Sequence, residues 1–126
     1  MIYGIGTDIV RIARMEESLT RHGDRFAERI LAETEMAEFV AAAHPSRLLA
    51  KRFAAKEAAA KGFGTGFRDG LALRHIVVTH DALGRPGLKF EGRGAELATQ
   101  LGVTGAHLSI ADEAEYAVAY VVLLSG

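Results

Sequence analysis

Hydrophobic positions in the first half of the chain recur every three or four residues. This spacing is typical of helices that bury one face. It follows an apolar segment near the N-terminus that contains two glycines and predicts a strand. The predicted elements are a strand at Ile2–Val10 and helices at Ile12–His22, Arg25–Leu31, Glu35–Ala43 and Arg47–Lys61. For the last helix, Ser46 is the predicted N-cap and Gly62 the predicted C-cap.

The second half of the chain has shorter apolar runs separated by glycine-containing turns, which are typical of strands. The predicted elements are strands at Ile76–Thr79, Leu88–Phe90, His107–Ala111 and Tyr116–Leu123, a further short strand at Leu71–Leu73, and a helix at Ala95–Leu101. Helices followed by strands favour an α+β fold, with an antiparallel sheet packed against helices. No repeat or linker divides the chain, so we expect one small domain over residues 1–126.

Composition and charge exclude several classes of protein. The chain is 49% hydrophobic with two prolines, which is typical of a globular protein. Its net charge of -1 predicts no general attraction to nucleic acid or to a membrane. No apolar run approaches the roughly 20 residues that span a bilayer, and no signal peptide is expected. The absence of cysteine excludes disulfides and thiolate chemistry and fits a cytoplasmic location.

The segment from Arg52 to Gly66 carries the most specific chemistry. Glu57 and Lys61 lie one helical turn apart among alanines, and a loop with glycine at every second position follows. An ordinary ion pair on a solvated helix would contribute only about 0.2–0.5 kcal/mol and is the simplest interpretation of the pair alone. The three glycines exceed what a helix C-terminus requires, so we expect their backbone N–H groups to face an anion.

Asp8 is a second candidate acid, preceded by a strand that contains Gly4 and Gly6. An aspartate after glycine and threonine is commonly a turn or cap residue. The alternative is a magnesium ligand, because Mg²⁺ takes one or two carboxylates together with phosphate oxygens. Two glycines in a strand predict close approach of another backbone or a ligand. Asp8 and Glu57 would meet only if this strand lay beside the Arg47–Lys61 helix.

Basic residues near the N-terminus indicate a possible docking surface. If one helical phase continued through Gly23, five arginines would fall within an arc of about 80°. They are Arg11, Arg14, Arg21, Arg25 and Arg29. A solvated face, partly neutralised by nearby acids, is the usual outcome for such a run. The sharper hypothesis is a binding surface for an acidic partner.

Several motifs occur together at spacings that resemble one known family. They are Gly4–Val10 with Arg14, Arg52–Ala58 continuing through Lys61 to Gly66, Leu83–Pro86, and His107–Ile110 followed by Tyr116-Ala117. Over nearly its whole length the chain resembles the holo-[acyl-carrier-protein] synthases, the small 4′-phosphopantetheinyl transferases of fatty acid biosynthesis. Two departures are Asp112, where many members carry histidine, and Gly62, where alanine is usual and which is expected to end the helix early.

The resemblance implies a reaction and a set of residues. Coenzyme A would transfer its phosphopantetheine arm to a serine of apo acyl carrier protein and release adenosine 3′,5′-bisphosphate, in a Mg²⁺-dependent reaction. It also implies a homotrimer with coenzyme A bound between subunits. The implied roles are Asp8 and Glu57 as catalytic metal ligands, Lys61 as a catalytic phosphate-binding residue, Arg52, Gly64, Thr65 and His107 as further coenzyme A contacts, and Arg14, Arg21 and Arg25 as carrier contacts.

Some alternatives stay open at the level of sequence. The base that accepts the serine proton is either Glu57 or a metal-bound water near it. A magnesium-dependent hydrolase of nucleotide pyrophosphates would need the same acids but no arginine surface. A non-catalytic module that binds coenzyme A or the carrier would not need Asp8, Glu57 and Lys61 together.

Overall fold

The computed structural model describes all residues, 1–126, as helices and strands joined by short loops. The elements, in chain order, are β1 (Ile2–Arg11), α1 (Ile12–His22), α2 (Asp24–Ile30), α3 (Glu33–Ala41), α4 (Pro45–Phe63), a short 3-10 helix (Leu73–His75), β2 (Ile76–His80), β3 (Pro86–Phe90), α5 (Arg93–Leu101), β4 (Val103–Asp112) and β5 (Tyr116–Ser125). The predicted α+β class is confirmed.

Two antiparallel sheets form, and the larger one positions the candidate site. Its strand order is β1-β5-β4, while β2 and β3 form a separate hairpin. Alternate residues of β5 are buried, as expected for a strand with one face on the core. The buried set is Ala117, Ala119, Val121 and Leu123.

Helix α4 is the centre of the fold. Eleven of its nineteen residues are buried, so the helix is enclosed on most sides and does not have a single buried stripe. It packs on the inner face of β1 and β5, and Phe63 at its end contacts Phe90 of β3 with ring centroids 5.1 Å apart. All six alanines of α4 are buried, and their small side chains let neighbouring backbones come close.

The glycines of β1 make the closest of these approaches. A Cβ at Gly6 would lie 1.9 Å from the carbonyl oxygen of Ala58, and a Cβ at Gly4 would lie 2.2 Å from that of Gly62. Any side chain at either position would collide with the backbone of α4. The prediction that these glycines mark a close backbone approach is therefore confirmed, and β1 lies directly beside α4.

Several predicted boundaries were wrong. Helix α4 begins at Pro45 and ends at Phe63, so Ser46 is not its N-cap and Gly62 is not its C-cap. Proline suits the first helical turn because the N–H it lacks would have no helical partner there. Gly62 stays helical, and the left-handed residue that ends the helix is Gly64, with φ of 84°.

Two further differences lie outside α4. The segment Leu71–Leu73 is not a strand, because the chain there leads into the 3-10 helix. Gly23, with φ of 65° and ψ of -157°, separates α1 from α2, and Arg11 belongs to β1. The five arginines therefore do not share one helical phase. No helix has both the length and the apolar character required to cross a bilayer.

Candidate active site

Asp8 and Lys61 meet at the contact between β1 and α4. The Lys61 ammonium donates to Asp8 Oδ1 at 3.0 Å and to the carbonyl oxygen of Thr7 at 2.9 Å. The Asp8 side chain is 18% exposed and that of Lys61 is 53% exposed. The carboxylate therefore lies at the floor of the site, and the ammonium lies at its solvent edge.

Glu57 lies one turn before Lys61 and is half-buried. Burial raises the pKa of its carboxyl above the ordinary value, and the negative charge of Asp8 raises it further. The positive charges of Lys61 and Arg14 act in the opposite direction on the same pKa. Glu57 is thus close enough to Asp8, Lys61 and Arg14 for each charge to act on it. Asp8 and Glu57 were expected to meet only if the first strand lay beside the helix, and β1 does lie beside α4.

The pair of acids fits a magnesium ion whose remaining ligands come from substrate and water. No group of three or more histidine, cysteine, aspartate or glutamate side chains is arranged to hold a metal by itself. Mg²⁺ commonly uses one or two carboxylates plus phosphate oxygens and keeps several waters. Asp8 and Glu57 would supply the two carboxylates, and a cation beside them would offset the negative charge of Asp8, which together with burial raises the pKa of Glu57.

His107 lies on the other face of the same sheet. Asp8 pairs with the buried Ala119, so it shares the inner face of β5. His107 pairs with Val122, whose other partner is Ile5, and Ile5 is 70% exposed on the outer face. The structure therefore does not bring His107 to the Asp8 site within one chain.

Two separate pockets lie beside Lys61 and His107. A pocket of about 430 Å³ lies beside Lys61 and is lined by Ile5, Gly6, Thr7, Lys61, Tyr120, Val121 and Val122. A larger pocket of about 610 Å³ contains His107 and Ser109 of β4 together with His80, Asp81 and Arg85 of the β2–β3 hairpin. The second pocket is polar and has basic side chains, which suits an anionic ligand.

The glycine loop after α4 differs from the expectation. The N–H of Gly64 donates to the Lys61 carbonyl oxygen at 3.0 Å, and that of Gly66 donates to Ala60 at 3.3 Å. These N–H groups satisfy the last carbonyls of the helix, so they do not face an anion. A helix C-terminus also carries partial negative charge, which does not favour anions. The roles of Gly64 and Thr65 as coenzyme A contacts stay predictions.

Arg52 is 5% exposed and is held by two glutamates. Its guanidinium contacts Glu35 Oε2 at 3.4 Å and Glu38 Oε2 at 2.6 Å. It also borders a small pocket of about 210 Å³ that includes His80 and Pro86 of the β2–β3 hairpin. Its predicted contact with coenzyme A stays a prediction, while its pairing with the two acids is a structural role that the sequence did not indicate.

Sequence reasoning missed the buried pair of Glu35 and Lys56. Both side chains are fully buried, and Lys56 Nζ lies 2.5 Å from Glu35 Oε1. Burial lowers the pKa of Lys56, and the negative charge of Glu35 partly opposes that shift. The sequence offered one signal for burial of Lys56, which is its position between Ala55 and the candidate site residue Glu57. Glu35 itself lies among exposed acids and carries no distinguishing pattern.

The three arginines predicted to bind a carrier are all exposed on the first two helices. Arg14 and Arg21 belong to α1, and Arg25 belongs to α2. Arg14 is the one nearest the acids, because its charge lowers the pKa of Glu57. Glu16 and Glu17 share a surface pocket with Arg21, so the basic surface is interrupted by acids.

Asp8, Glu57 and the exposed Lys61 thus form one charged site on a small α+β domain, and their chemistry suits a phosphate ester with a divalent cation. The model of the 4′-phosphopantetheinyl transferase superfamily matches residues 4–121. Holo-[acyl-carrier-protein] synthase of Halorhodospira halophila is 56% identical over all of both chains. The chain belongs to the 4′-phosphopantetheinyl transferase superfamily, within the holo-[acyl-carrier-protein] synthases.

Solved structures agree with this assignment. The crystal structure of holo-[acyl-carrier-protein] synthase from Neisseria meningitidis has a TM-score of 0.94 and 43% identity, and it covers 99% of this chain and 100% of that one. The Bacillus anthracis synthase in complex with coenzyme A (3′,5′-ADP) has a TM-score of 0.83 and 38% identity, and it covers 100% of this chain and 99% of that one.

Proposed function

We propose that residues 1–126 form one holo-[acyl-carrier-protein] synthase domain. The protein transfers 4′-phosphopantetheine from coenzyme A to a serine of apo acyl carrier protein and releases adenosine 3′,5′-bisphosphate. The observation that carries this proposal is the meeting of Asp8, Glu57 and Lys61 between β1 and α4. Full-length identity of 56% to a relative with that name supports the substrate pair.

The reaction forms one phosphorus–oxygen bond and breaks another. The serine hydroxyl oxygen attacks the phosphorus that carries pantetheine, and the bridging bond to the 5′-phosphate of the nucleotide breaks. Displacement of this kind depends mainly on positioning and on stabilising negative charge. Asp8 and Glu57 would hold Mg²⁺, which when bound offsets charge on the phosphate oxygens.

Two proton movements accompany this step. The proton of the serine hydroxyl passes to Glu57 or to a water bound to the cation that Asp8 and Glu57 would hold. The exposed ammonium of Lys61 binds the departing phosphate and donates a proton to its oxygen. Its position at the solvent edge leaves it free to reach a ligand.

A homotrimer completes the site in this proposal. Asp8 and His107 lie on opposite faces of one sheet, and a second copy would bring an Asp8 and a His107 to the same ligand. The outer face carries large exposed apolar side chains, including Ile5, Ile9 and Tyr120. A contiguous apolar face of this kind is typical of a subunit interface. A cyclic arrangement would join the Lys61 pocket of one subunit to the His107 pocket of the next.

The relatives' name gives the partner, and the charge of the first two helices is consistent with it. Arg14, Arg21 and Arg25 form the surface that binds the acidic carrier, and it lies next to the acids of the site. The protein acts in the cytoplasm, which the absence of cysteine supports.

The deciding experiment is the intact mass of apo acyl carrier protein after incubation with this protein, coenzyme A and Mg²⁺. We expect the mass to rise by one phosphopantetheine group and the rise to disappear with EDTA. Cleavage of coenzyme A without modification of the carrier would instead show a hydrolase. Neither cleavage nor modification, repeated with a second carrier protein, would contradict the proposal and favour a binding module.

A further inference from the structure

Lys56 uses all three of its ammonium donors inside the protein. Its Nζ contacts Glu35 Oε1 at 2.5 Å, the Ile30 carbonyl oxygen at 2.8 Å and the Leu73 carbonyl oxygen at 3.2 Å. The side chain is fully buried. A single residue of α4 is therefore fixed to the end of α2, to α3 and to the 3-10 helix.

Glu35 is satisfied to the same degree from the other side. Its oxygens accept from Lys56, from the N–H of Ala32 at 2.9 Å, from the N–H of Val78 at 3.3 Å and from Arg52 at 3.4 Å. No buried side-chain nitrogen or oxygen in the protein lacks a hydrogen-bond partner. The pair therefore links α3, β2 and α4 at one point.

Stability does not explain why this pair is charged. Removing two charges from water costs several kcal/mol, and replacing a buried ion pair with apolar residues of similar volume is often neutral or stabilising. The pair does fix an orientation, because hydrogen bonds are directional and hold the Lys56 side chain in one position. An apolar pair would pack the same space without that constraint.

Helix α4 has particular need of such a constraint. All six of its alanines are buried, and each contributes only a methyl group to the contacts around the helix. Lys56 and Glu57 are consecutive, so their side chains point about 100° apart around the helix. With Lys56 held in the core, Glu57 projects from the adjacent side of the helix, where the charge of Asp8 acts on it.

The effect of losing this constraint is large on the scale of catalysis. A carboxylate about 6 Å from the helix axis moves by about 1 Å when the helix rotates by about 10°. A displacement of that size can reduce the rate by about 100-fold.

We propose that Glu35 and Lys56 are positioning residues that fix the rotation of α4 so that Glu57 faces Asp8. This inference rests on the proposed function, in which Asp8 and Glu57 share a divalent cation. The pair does not touch the substrate and acts only through the helix.

The test is the double variant Glu35→Leu with Lys56→Met, which removes both charges and keeps the volume. We expect it to fold with lower resistance to urea, because the N–H groups of Ala32 and Val78 lose their acceptor, while kcat falls about 10-fold or more. Binding of Mn²⁺ in the presence of adenosine 3′,5′-bisphosphate, measured by electron paramagnetic resonance, should weaken in parallel. Val103→Ala, a core change in β4, is the control that lowers stability without reaching α4's charged side.

A folded double variant with native kcat and native Mn²⁺ affinity would overturn the inference. Glu35→Gln provides a second test that does not depend on the double variant folding, because it keeps one acceptor oxygen. We expect its kcat and Mn²⁺ affinity to fall together, and native values for both would contradict the proposal. If the native protein itself fails to modify a carrier, the proposed function fails. The Mn²⁺ affinities of the native protein and the variants still test the positioning role in that case.

Discussion

The carbonyl oxygen of Ala58 occupies the space that any side chain at Gly6 would need. A Cβ at Gly6 would lie 1.9 Å from that oxygen and 2.9 Å from the backbone nitrogen of Gly62. Both obstacles belong to the helix backbone, so no change of rotamer removes them. Gly6 and Ala58 therefore set the distance between β1, which carries Asp8, and α4, which carries Glu57 and Lys61.

Replacing Gly6 with alanine should separate these two elements. We expect Gly6→Ala to lower the free energy of unfolding by about 1–3 kcal/mol or more and to reduce transfer activity, because β1 must move away from α4. Urea denaturation and the carrier mass assay measure the two effects. Gly105→Ala in β4 is the matched control, since its Cβ would meet only the Leu124 side chain at 3.6 Å. Equal stability of the two variants would contradict this account.

Replacing Glu57 with glutamine should remove activity without unfolding the protein. The amide keeps the shape of the side chain but neither accepts a proton nor offers a charged ligand to a cation. We expect the rate of phosphopantetheine transfer to fall by about 100-fold or more, with the circular dichroism spectrum unchanged. Asp8→Ala should have a similar effect. A well-folded Glu57 variant with near-native turnover would be incompatible with the proposed roles.

The raised pKa of Glu57 also predicts how stability depends on pH. The folded protein holds this proton more tightly than the unfolded chain, so the stabilising contribution is complete below the ordinary glutamate pKa of about 4.3. It is lost as the pH rises through the raised value in the folded state. The stability of the native protein minus that of Glu57→Gln should therefore decrease with rising pH above about 4. Urea midpoints of both proteins across this range measure the difference, and a rising difference would have the wrong sign.

Reversing an arginine of the docking surface should affect the carrier more than coenzyme A. Arg14→Glu is expected to weaken carrier binding, but Arg14 also acts on the pKa of Glu57. Arg21→Glu is the cleaner variant, and we expect KM for the carrier to rise about 3- to 10-fold. The dissociation constant of coenzyme A, measured by calorimetry, should stay unchanged. Arg74→Glu, at an exposed position of the 3-10 helix, controls for net charge. Equal loss of both affinities would argue against a docking role.

Mixing two inactive variants should restore activity if subunits share sites. In a cyclic trimer, each interface would take Asp8 from one subunit and His107 from the next. After random exchange of Asp8→Ala and His107→Ala subunits, both residues would be intact at about a quarter of the interfaces. We expect transfer activity to appear after the two variants are unfolded together and refolded. Each variant refolded alone is the control. No recovery in mixtures shown by mass to contain both chains would contradict a shared site.

Local patterns in the sequence predicted the elements that border the site. The helix Ile12–His22 was predicted with its observed boundaries, because its apolar spacing and the glycine after it agree. The close approach at Gly4 and Gly6 was predicted from glycine within a strand. These features depend on residues near in sequence, and local chemistry is sufficient to specify them.

Features that depend on distant residues were not predicted. Glu35 contacts Lys56 and Val78, which lie far along the chain, and nothing near Glu35 distinguishes it from the exposed Glu33. The N–H groups of Gly64 and Gly66 were expected to face an anion, but the unpaired carbonyls of α4 are their acceptors. The face on which His107 lies followed only from the register of β4 on β5.

The strand order has a consequence for synthesis on the ribosome. Strand β5 lies between β1 and β4 and follows every other element in chain order. Until residues 116–125 emerge, β1 has no strand beside it and the buried side of α4 lacks part of its cover. Pairing of such distant segments is slow to form and leaves apolar surface open to aggregation. A ribosome that stalls earlier would therefore hold a chain in which β1 has an open edge and α4 lacks the cover that β5 supplies.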